Sequence, residues 1–122
     1  MIRVKRVYEP PAASDGTRLL AERLWPRGLK KESLKLDGWL REVAPGTTLR
    51  KWFNHDPARW AEFQRRYREE LDRQPSAWQP ILEAARKGTV TLLFSSRNAE
   101  CNNVVALKDY LESQMKQFRK TD

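Results

Sequence analysis

Residues 23–28, with the sequence Arg-Leu-Trp-Pro-Arg-Gly, combine ligand-binding side chains with residues that fix the backbone. An arginine guanidinium is a rigid, planar set of donors that suits a carboxylate or a phosphate, and an indole offers a face for stacking. Proline and glycine set the direction of the chain as it leaves the segment. The segment therefore has the residue types of an anion-binding site, although it identifies neither a substrate nor a reaction.

Three side chains of this segment are candidate ligand-binding groups, and each has a structural alternative. Arg27 is expected to hold a carboxylate or phosphate, or else to form a salt bridge that fixes its own loop. Arg23 is better suited to a structural ion pair, and Trp25 to the apolar core, than to direct contact with a ligand. The acidic residues considered as partners of Arg27 are Glu22, Glu32 and Asp37.

A second polar segment, residues 95–102, follows the apolar run 89–94 and precedes a long helical pattern. Ser95, Arg97 and Asn102 are its candidate ligand-binding residues. The serine and the asparagine also suit a purely structural role, because both residue types satisfy backbone groups where a strand turns into a helix. If a helix begins here, its free N–H groups are expected to meet a bound anion.

His55 is the one histidine of the chain and the candidate catalytic residue. Its ring titrates near neutral pH and suits general acid or base catalysis, and the alternative is a polar loop residue bonded to backbone. Cys101 lies near a helix start, but a thiol-phosphatase loop needs an arginine where Leu107 stands, so we do not expect a catalytic cysteine. One cysteine and one histidine make a zinc site built from protein ligands implausible, and the sequence specifies no cofactor.

The apolar pattern of the chain predicts the strands that position these groups. It indicates strands over residues 2–8 and 17–25, and a continuous apolar and β-branched run indicates a buried strand over residues 89–94. These strands alternate with helical patterns. The order predicts a single α/β domain over residues 1–122, with a small, mostly parallel sheet flanked by helices on both faces in a three-layer, Rossmann-like arrangement.

Amphipathic spacing predicts the helices. Asp56 and Pro57 form the clearest helix start, because an aspartate accepts from unpaired N–H groups and a proline loses no bond at the first helical position. The predicted helices cover residues 33–43, 49–53, 56–73 and 76–87, with a last helix from about residue 103. The inner stripe of that last helix consists of Val104, Leu107, Leu111, Met115 and Phe118.

Both polar segments follow predicted strands. Ligands of open parallel sheets bind outside the carboxyl ends of the strands, so residues 23–28 and 95–102 are expected to meet at one edge. The sequence thus predicts a site for a small anionic ligand, phosphorylated or nucleotide-like. A concave pocket in which Arg27, His55 and Asn102 converge would support that interpretation.

The charge of the chain leaves a second class of function open. The 122 residues contain 24 Lys and Arg against 16 Asp and Glu, a formal net charge of +8, which favours anionic partners. The alternative is a binding module without catalysis that meets nucleic acid or an acidic protein. It would present an open basic face formed by Arg65, Arg66, Arg68, Lys116 and Arg119. A lone cysteine and the lack of an apolar stretch near about 20 residues indicate a cytoplasmic protein without a membrane partner.

Several of these segments resemble the YeaO-like proteins, catalogued as domain of unknown function 488. The resemblance rests on residues 23–28 and on the Trp-Phe-x-His-Asp-Pro string of residues 52–57, and it extends over nearly the whole chain. It implies a small bacterial or archaeal cytoplasmic α/β protein, and no established activity comes with it. The chain departs from the pattern where Glu22 replaces the usual aspartate, Asn54 the usual glycine and Cys101 a frequent histidine. The last departure weakens a catalytic or metal-binding role at that position.

Overall fold

The computed structural model describes the backbone of residues 1–121 and the side chains of residues 1–117. Phe118 and Arg119, predicted for an apolar stripe and a basic face, lie outside the described side chains. The elements in chain order are β1 (Ile2–Arg6), β2 (Thr17–Leu20), α1 (Lys31–Leu34), β3 (Gly38–Trp39), α2 (Thr47–Phe53), α3 (Trp60–Asp72), α4 (Pro75–Lys87), β4 (Val90–Phe94) and α5 (Asn103–Thr121). Short 3-10 turns lie at Ala13–Asp15, Arg41–Val43 and Pro57–Arg59.

The described strands form one four-stranded sheet in the order β1-β4-β2-β3, and each neighbouring pair is parallel. Ile2 of β1 and Thr17 of β2 both pair with Val90, so β4 lies between them. Every residue of β4 is buried, as its continuous apolar run predicts. The predicted α/β class with a small parallel sheet is confirmed.

One face of the sheet carries the main core. Ile2, Leu19 and Leu92 project from three strands into this core, where they meet side chains of helices α2 to α5. The predicted stripe of α5 packs here as well, with Val104, Leu107 and Leu111 fully buried and Met115 partly buried. Burial of one apolar stripe per helix is the main source of stability for this layer.

The other face carries a smaller core. Leu20 and Leu93 point toward this side and contact Leu34 of the one-turn helix α1. Trp25 and Trp39 pack against the same cluster. Helical cover is therefore unequal on the two faces, and residues 23–28 help to close the thinner one.

The prediction of a helix over residues 33–43 is wrong, because this segment completes the edge of the sheet. The N–H of Asp37 donates to the Arg18 carbonyl oxygen at 2.8 Å, and the N–H of Leu40 donates to the Leu20 carbonyl oxygen at 2.8 Å. Between these bonds Trp39 pairs with Leu20 in β3. Strand pairing with distant residues has outweighed the helical spacing of the apolar side chains.

Strand β2 is shorter than predicted. It ends at Leu20 instead of residue 25, and its pairing with β3 ends there too, at Trp39. Arg23 and Trp25, which lie within the predicted strand over residues 17–25, are therefore outside the strand in the structure. Residues 23–28 form a loop, which gives their side chains more varied directions than a strand allows.

The predicted helix boundaries are mostly close. Asp56 accepts from the N–H of Ala58 at 3.0 Å, and Pro57 begins a 3-10 turn that leads directly into α3. Helix α4 starts at Pro75 with Gln74 at the cap position, one residue before the predicted start at residue 76.

Candidate functional site

A cleft of about 630 Å³ opens at the carboxyl edge of the sheet. Its walls come from the loop after β2, the loop between β4 and α5, and the C-terminal end of α2 with the residues that follow. The carboxyl ends of parallel strands share one edge, which is why these loops meet. All seven candidates predicted from the sequence line this cleft: Arg23, Trp25, Arg27, His55, Ser95, Arg97 and Asn102.

Arg23 joins two walls of the cleft. Its Nε donates to the Pro45 carbonyl oxygen at 2.9 Å, and its Nη2 donates to the Ala44 carbonyl oxygen at 3.5 Å. The side chain has the structural role that the sequence favours, but its partners are backbone carbonyls instead of a carboxylate.

Trp25 lines the cleft and is partly buried. Its ring meets Trp39 edge to face with 5.3 Å between the ring centroids, and its Nε1 donates to the Leu29 carbonyl oxygen at 2.7 Å. The indole therefore supports the loop that carries the neighbouring arginine. This packing is the structural alternative considered for it.

Arg27 and Arg97 are exposed and line the cleft from two different loops. Within the described part of the chain neither side chain forms a hydrogen bond or a salt bridge. The alternative bridge from Arg27 to Glu22, Glu32 or Asp37 is not formed there. Both guanidiniums keep their donors available.

Arg50 of α2 is a third arginine on the lining, and sequence reasoning missed it. It forms no salt bridge within 4.0 Å to any described carboxylate. Its position depends on how α2 packs beside α3, which local sequence does not reveal.

Asn102 caps helix α5. Its Oδ1 accepts from the N–H groups of Val104 and Val105, each at 3.0 Å, and its Nδ2 donates to the Asn98 carbonyl oxygen at 2.9 Å. Two of the N–H groups expected to be free for an anion, those of Val104 and Val105, are therefore already satisfied by this buried amide. Asn102 thus shapes the loop that presents Arg97.

His55 is exposed at the rim of the cleft, and its φ of 55° lies in the left-handed region. Asn54 before it has a φ of 46°, a conformation that asparagine and glycine tolerate well. The His55 ring lies 6.5 Å from that of Phe53, centroid to centroid. Among the described residues it has no hydrogen-bond partner, so the backbone bond considered as an alternative is not formed.

Cys101 is partly buried and does not belong to the cleft lining. Its N–H donates to Oδ1 of Asn98 at 2.9 Å, which makes it part of the turn before α5.

Glu22 is the second lining residue that sequence reasoning missed. Burial raises the pKa of its carboxyl from 4.5 to about 7, against the lowering effects of the Ser95 N–H, the Arg50 charge and the Asn103 side chain. The Ser95 N–H donates to Oε1 at 3.3 Å and so ties the β4–α5 loop to the loop after β2. The one sequence signal was the departure from aspartate at this position, and that signal contained no information about burial.

The basic face considered for the alternative function is partly neutralised. Arg65 lies 2.7 Å from Glu62 and 2.5 Å from Glu69, and Arg66 lies 2.9 Å from Glu62. The Arg65 and Arg66 contacts lower the pKa of Glu62 to about 2. Arg66 also stacks over the ring of Trp52, at 4.2 Å from its centroid. The guanidiniums of Arg65 and Arg66 thus already contact neighbouring side chains on the protein surface.

The described residues contain neither a metal-ligating cluster nor a membrane-spanning helix. No three His, Cys, Asp or Glu side chains in that part of the chain are grouped so that they would hold a metal ion. None of its helices has the length and apolar character needed to cross a membrane.

Comparison with known proteins identifies relatives over almost the full length. The chain is 42% identical over 112 residues to "Uncharacterized protein YeaO" of Escherichia coli, an alignment that covers 92% of this chain and 97% of the relative. It is 34% identical over 113 residues to "Uncharacterized protein Mb3100c" of Mycobacterium bovis and to "Uncharacterized protein Rv3073c" of Mycobacterium tuberculosis, covering 93% of this chain and 95% of each relative. No solved structure gives a significant match.

A family model described as "Inactive DUF488-N3 subclade" matches residues 1–122. This match and the YeaO relative confirm the resemblance seen in the sequence. The chain therefore belongs to the YeaO-like family of domain-of-unknown-function-488 proteins, in the branch described as the inactive DUF488-N3 subclade.

Proposed function

We propose that this protein binds a small anionic ligand, phosphorylated or nucleotide-like, in the cleft at the carboxyl edge of its sheet. The main observation behind the proposal is that three arginines of the cleft lack salt-bridge partners among the described residues. Arg27, Arg50 and Arg97 line one cleft from three different segments, and none of them forms a salt bridge with a described carboxylate.

The electrostatics of this arrangement favour an anion. Guanidiniums brought together repel one another, and an anion between them removes that repulsion while it accepts charge-assisted hydrogen bonds. A concave site also buries part of the ligand that it binds, which strengthens these bonds. A phosphate group fits, because its oxygens match the donor fork of an arginine.

His55 adds an imidazole that can form a hydrogen bond with a ligand, and its positive φ is typical of functional positions. The family description "inactive" supports binding without turnover. We therefore propose a binding protein that acts in the cytoplasm, in which His55 contacts the ligand instead of serving as the catalytic residue expected from the sequence.

A thermal-shift screen with nucleotides and sugar phosphates tests the proposal. A ligand present at 100 times its dissociation constant stabilises the folded state by about 2.7 kcal/mol, which corresponds to roughly 10 °C for a chain of this size. Arg27→Ala should weaken that ligand about 10- to 100-fold, because it removes a charged hydrogen-bonding group. Arg73→Ala, an exposed position outside the cleft, is the control for loss of one positive charge and should leave the shift unchanged.

A panel in which no phosphorylated compound stabilises wild type would refute the proposed function. An equal loss of ligand response in the Arg27 and Arg73 variants would also contradict it, because that result indicates a general charge effect.

A further inference from the structure

Glu22 is the acidic residue of a cleft whose charged side chains are otherwise cationic or histidine. Among the described residues that line the cleft, four are arginines, one is histidine and one is glutamate. A carboxylate among groups that bind an anion weakens binding unless it forms a favourable contact with the ligand.

The hydrogen bonds of Glu22 leave acceptor positions open. An ionised carboxylate has about four lone-pair positions. Here the Ser95 N–H donates to Oε1 at 3.3 Å, and the Asn103 side chain is the other hydrogen-bonding group that influences the carboxyl. Within the described residues no cation forms a salt bridge with it. The carboxyl can therefore accept a further bond from the cleft.

Two tetrahedral anions respond differently to such an acceptor. Hydrogen phosphate carries an O–H that donates to a carboxylate, and a phosphate monoester takes up a proton with a pKa of about 6. Sulfate has the same charge and shape as hydrogen phosphate but no proton near neutral pH, so its oxygens face the carboxylate directly. Next to an ionised carboxylate, hydrogen phosphate thus forms a hydrogen bond, whereas sulfate is repelled.

We propose that Glu22 determines the specificity of the cleft, so that it accepts a phosphate group that carries a proton and rejects sulfate or a sulfonate. The inference rests on the proposed function and deepens it, because it names the residue that distinguishes a proton-carrying phosphate from sulfate. Glu22 and the phosphate share a single proton, which lies on either oxygen.

The surroundings of Glu22 support a shared proton near neutral pH. Burial raises the pKa of the carboxyl to about 7, which brings it close to that of a phosphate. Arg50 is the cation whose charge lowers that pKa, and Arg23 and His55 also line the cleft. Tyr67 behind it stays neutral, because burial and then the Glu22 charge raise the pKa of its hydroxyl.

Calorimetric titration with inorganic phosphate and inorganic sulfate at pH 8 tests this proposal. Wild type is expected to bind phosphate at least about tenfold tighter than sulfate, the factor of one good hydrogen bond. In Glu22→Gln the ratio should fall to within about twofold, mainly through tighter sulfate binding, because the amide is neutral and can donate. Glu42→Gln, at an exposed position outside the cleft, is the matched control and should retain the wild-type ratio.

The pH dependence of sulfate binding to wild type is a second test, and it needs no variant of Glu22. Sulfate should bind up to about tenfold tighter at pH 6 than at pH 8, because Glu22 becomes protonated below about pH 7. His55→Gln should keep most of that change. If it abolishes the change, His55 is the titrating group and the proposal for Glu22 is overturned.

The remaining outcomes separate the two proposals. If wild type binds phosphate and sulfate equally, or if Glu22→Gln retains the selectivity, the role of Glu22 is refuted while anion binding stands. If neither inorganic anion nor any phosphorylated compound binds to wild type or to the variant, the proposed function itself fails.

Discussion

Glu22 is costly for the fold in its ionised form. Transfer of a carboxylate away from water is unfavourable, and the nearby Arg50 is not close enough to form a salt bridge with it. Natural proteins keep such groups mainly where they serve binding or chemistry. The destabilisation of the folded state by ionised Glu22 can be measured in the absence of any ligand.

The free energy of unfolding should fall as the pH rises from 4.5 to about 7, because the folded-state pKa of Glu22 is raised above the value of the unfolded chain. For this partly exposed side chain we expect a loss of about 2 kcal/mol or less. Glu22→Gln should be more stable than wild type by that amount at pH 8 and nearly equal to it at pH 4.5. Urea denaturation at the two pH values measures the difference. A gap between variant and wild type that is independent of pH would contradict this cause.

Residue types predicted which side chains line the cleft, but they did not predict the role of each one. The guanidinium of Arg27 is unpaired within the described structure, as a ligand-binding role requires, whereas Asn102 is occupied as a helix cap. Local sequence shows which side chains can donate. It does not show which donors are already used by carbonyls from distant segments, as those of Arg23 are by Pro45.

At the scale of elements, the turn before β2 fixes how this strand meets β4. Gly16 has a φ of 64°, and its N–H and the following Thr17 N–H bond to nearby carbonyls, the latter to Thr89 at 2.9 Å. A Cβ built at Gly16 would lie 2.2 Å from the Thr89 carbonyl oxygen. Both the left-handed backbone and the close approach require glycine there.

Gly16→Ala should destabilise the protein by at least about 2 kcal/mol, because it adds a backbone clash to the strain of a positive φ. Gly28→Ala is a matched control, with a φ of 77° and no heavy atom within 4 Å of the new Cβ. It should cost only about 1 kcal/mol, the strain alone. Midpoints of urea unfolding compare the two variants, and equal losses would contradict the role assigned to the contact with Thr89.

At the scale of the whole molecule, the formal charge of +8 favours weak attraction to any polyanion. Charge alone does not form a recognition surface. Two arginines of α3, Arg65 and Arg66, are engaged with carboxylates of their own helix, whereas Arg27 and Arg97 lie unpaired in the cleft within the described structure. Among the described residues, the cleft therefore presents unpaired guanidiniums from two different loops at one concave site.

The Kd for duplex DNA should be roughly 10 μM or higher at 0.15 M salt, a value typical of non-specific attraction. The variant in which Arg65 and Arg66 are both changed to Gln should differ from wild type by less than about twofold in this assay. The variant in which Arg27 and Arg97 are both changed to Gln should lose the phosphorylated ligand instead. Fluorescence anisotropy measures the affinity for DNA. A tenfold loss of DNA affinity in the variant with Arg65 and Arg66 changed would favour the nucleic-acid alternative.

The sequence by itself determined the class of the fold and the set of residues to consider. A run of apolar residues at β4 indicated a buried parallel strand, and the edge rule for such sheets placed the six candidates within residues 23–28 and 95–102 around one cleft. These features depend on local pattern and on a general property of parallel sheets, which is why they could be predicted. That residues 1–122 form one domain stays a prediction.

Only the tertiary structure decided the course of residues 33–43 and the burial of Glu22. Residues 38–39 became a strand because β2 offered unpaired backbone groups at the sheet edge, and Glu22 acquired a raised pKa because loops from distant parts of the chain cover it. Both outcomes depend on partners far away in sequence, whereas helical spacing and residue type describe only neighbours. Arg50 entered the cleft for the same reason, since the packing of α2 on α3 placed it there.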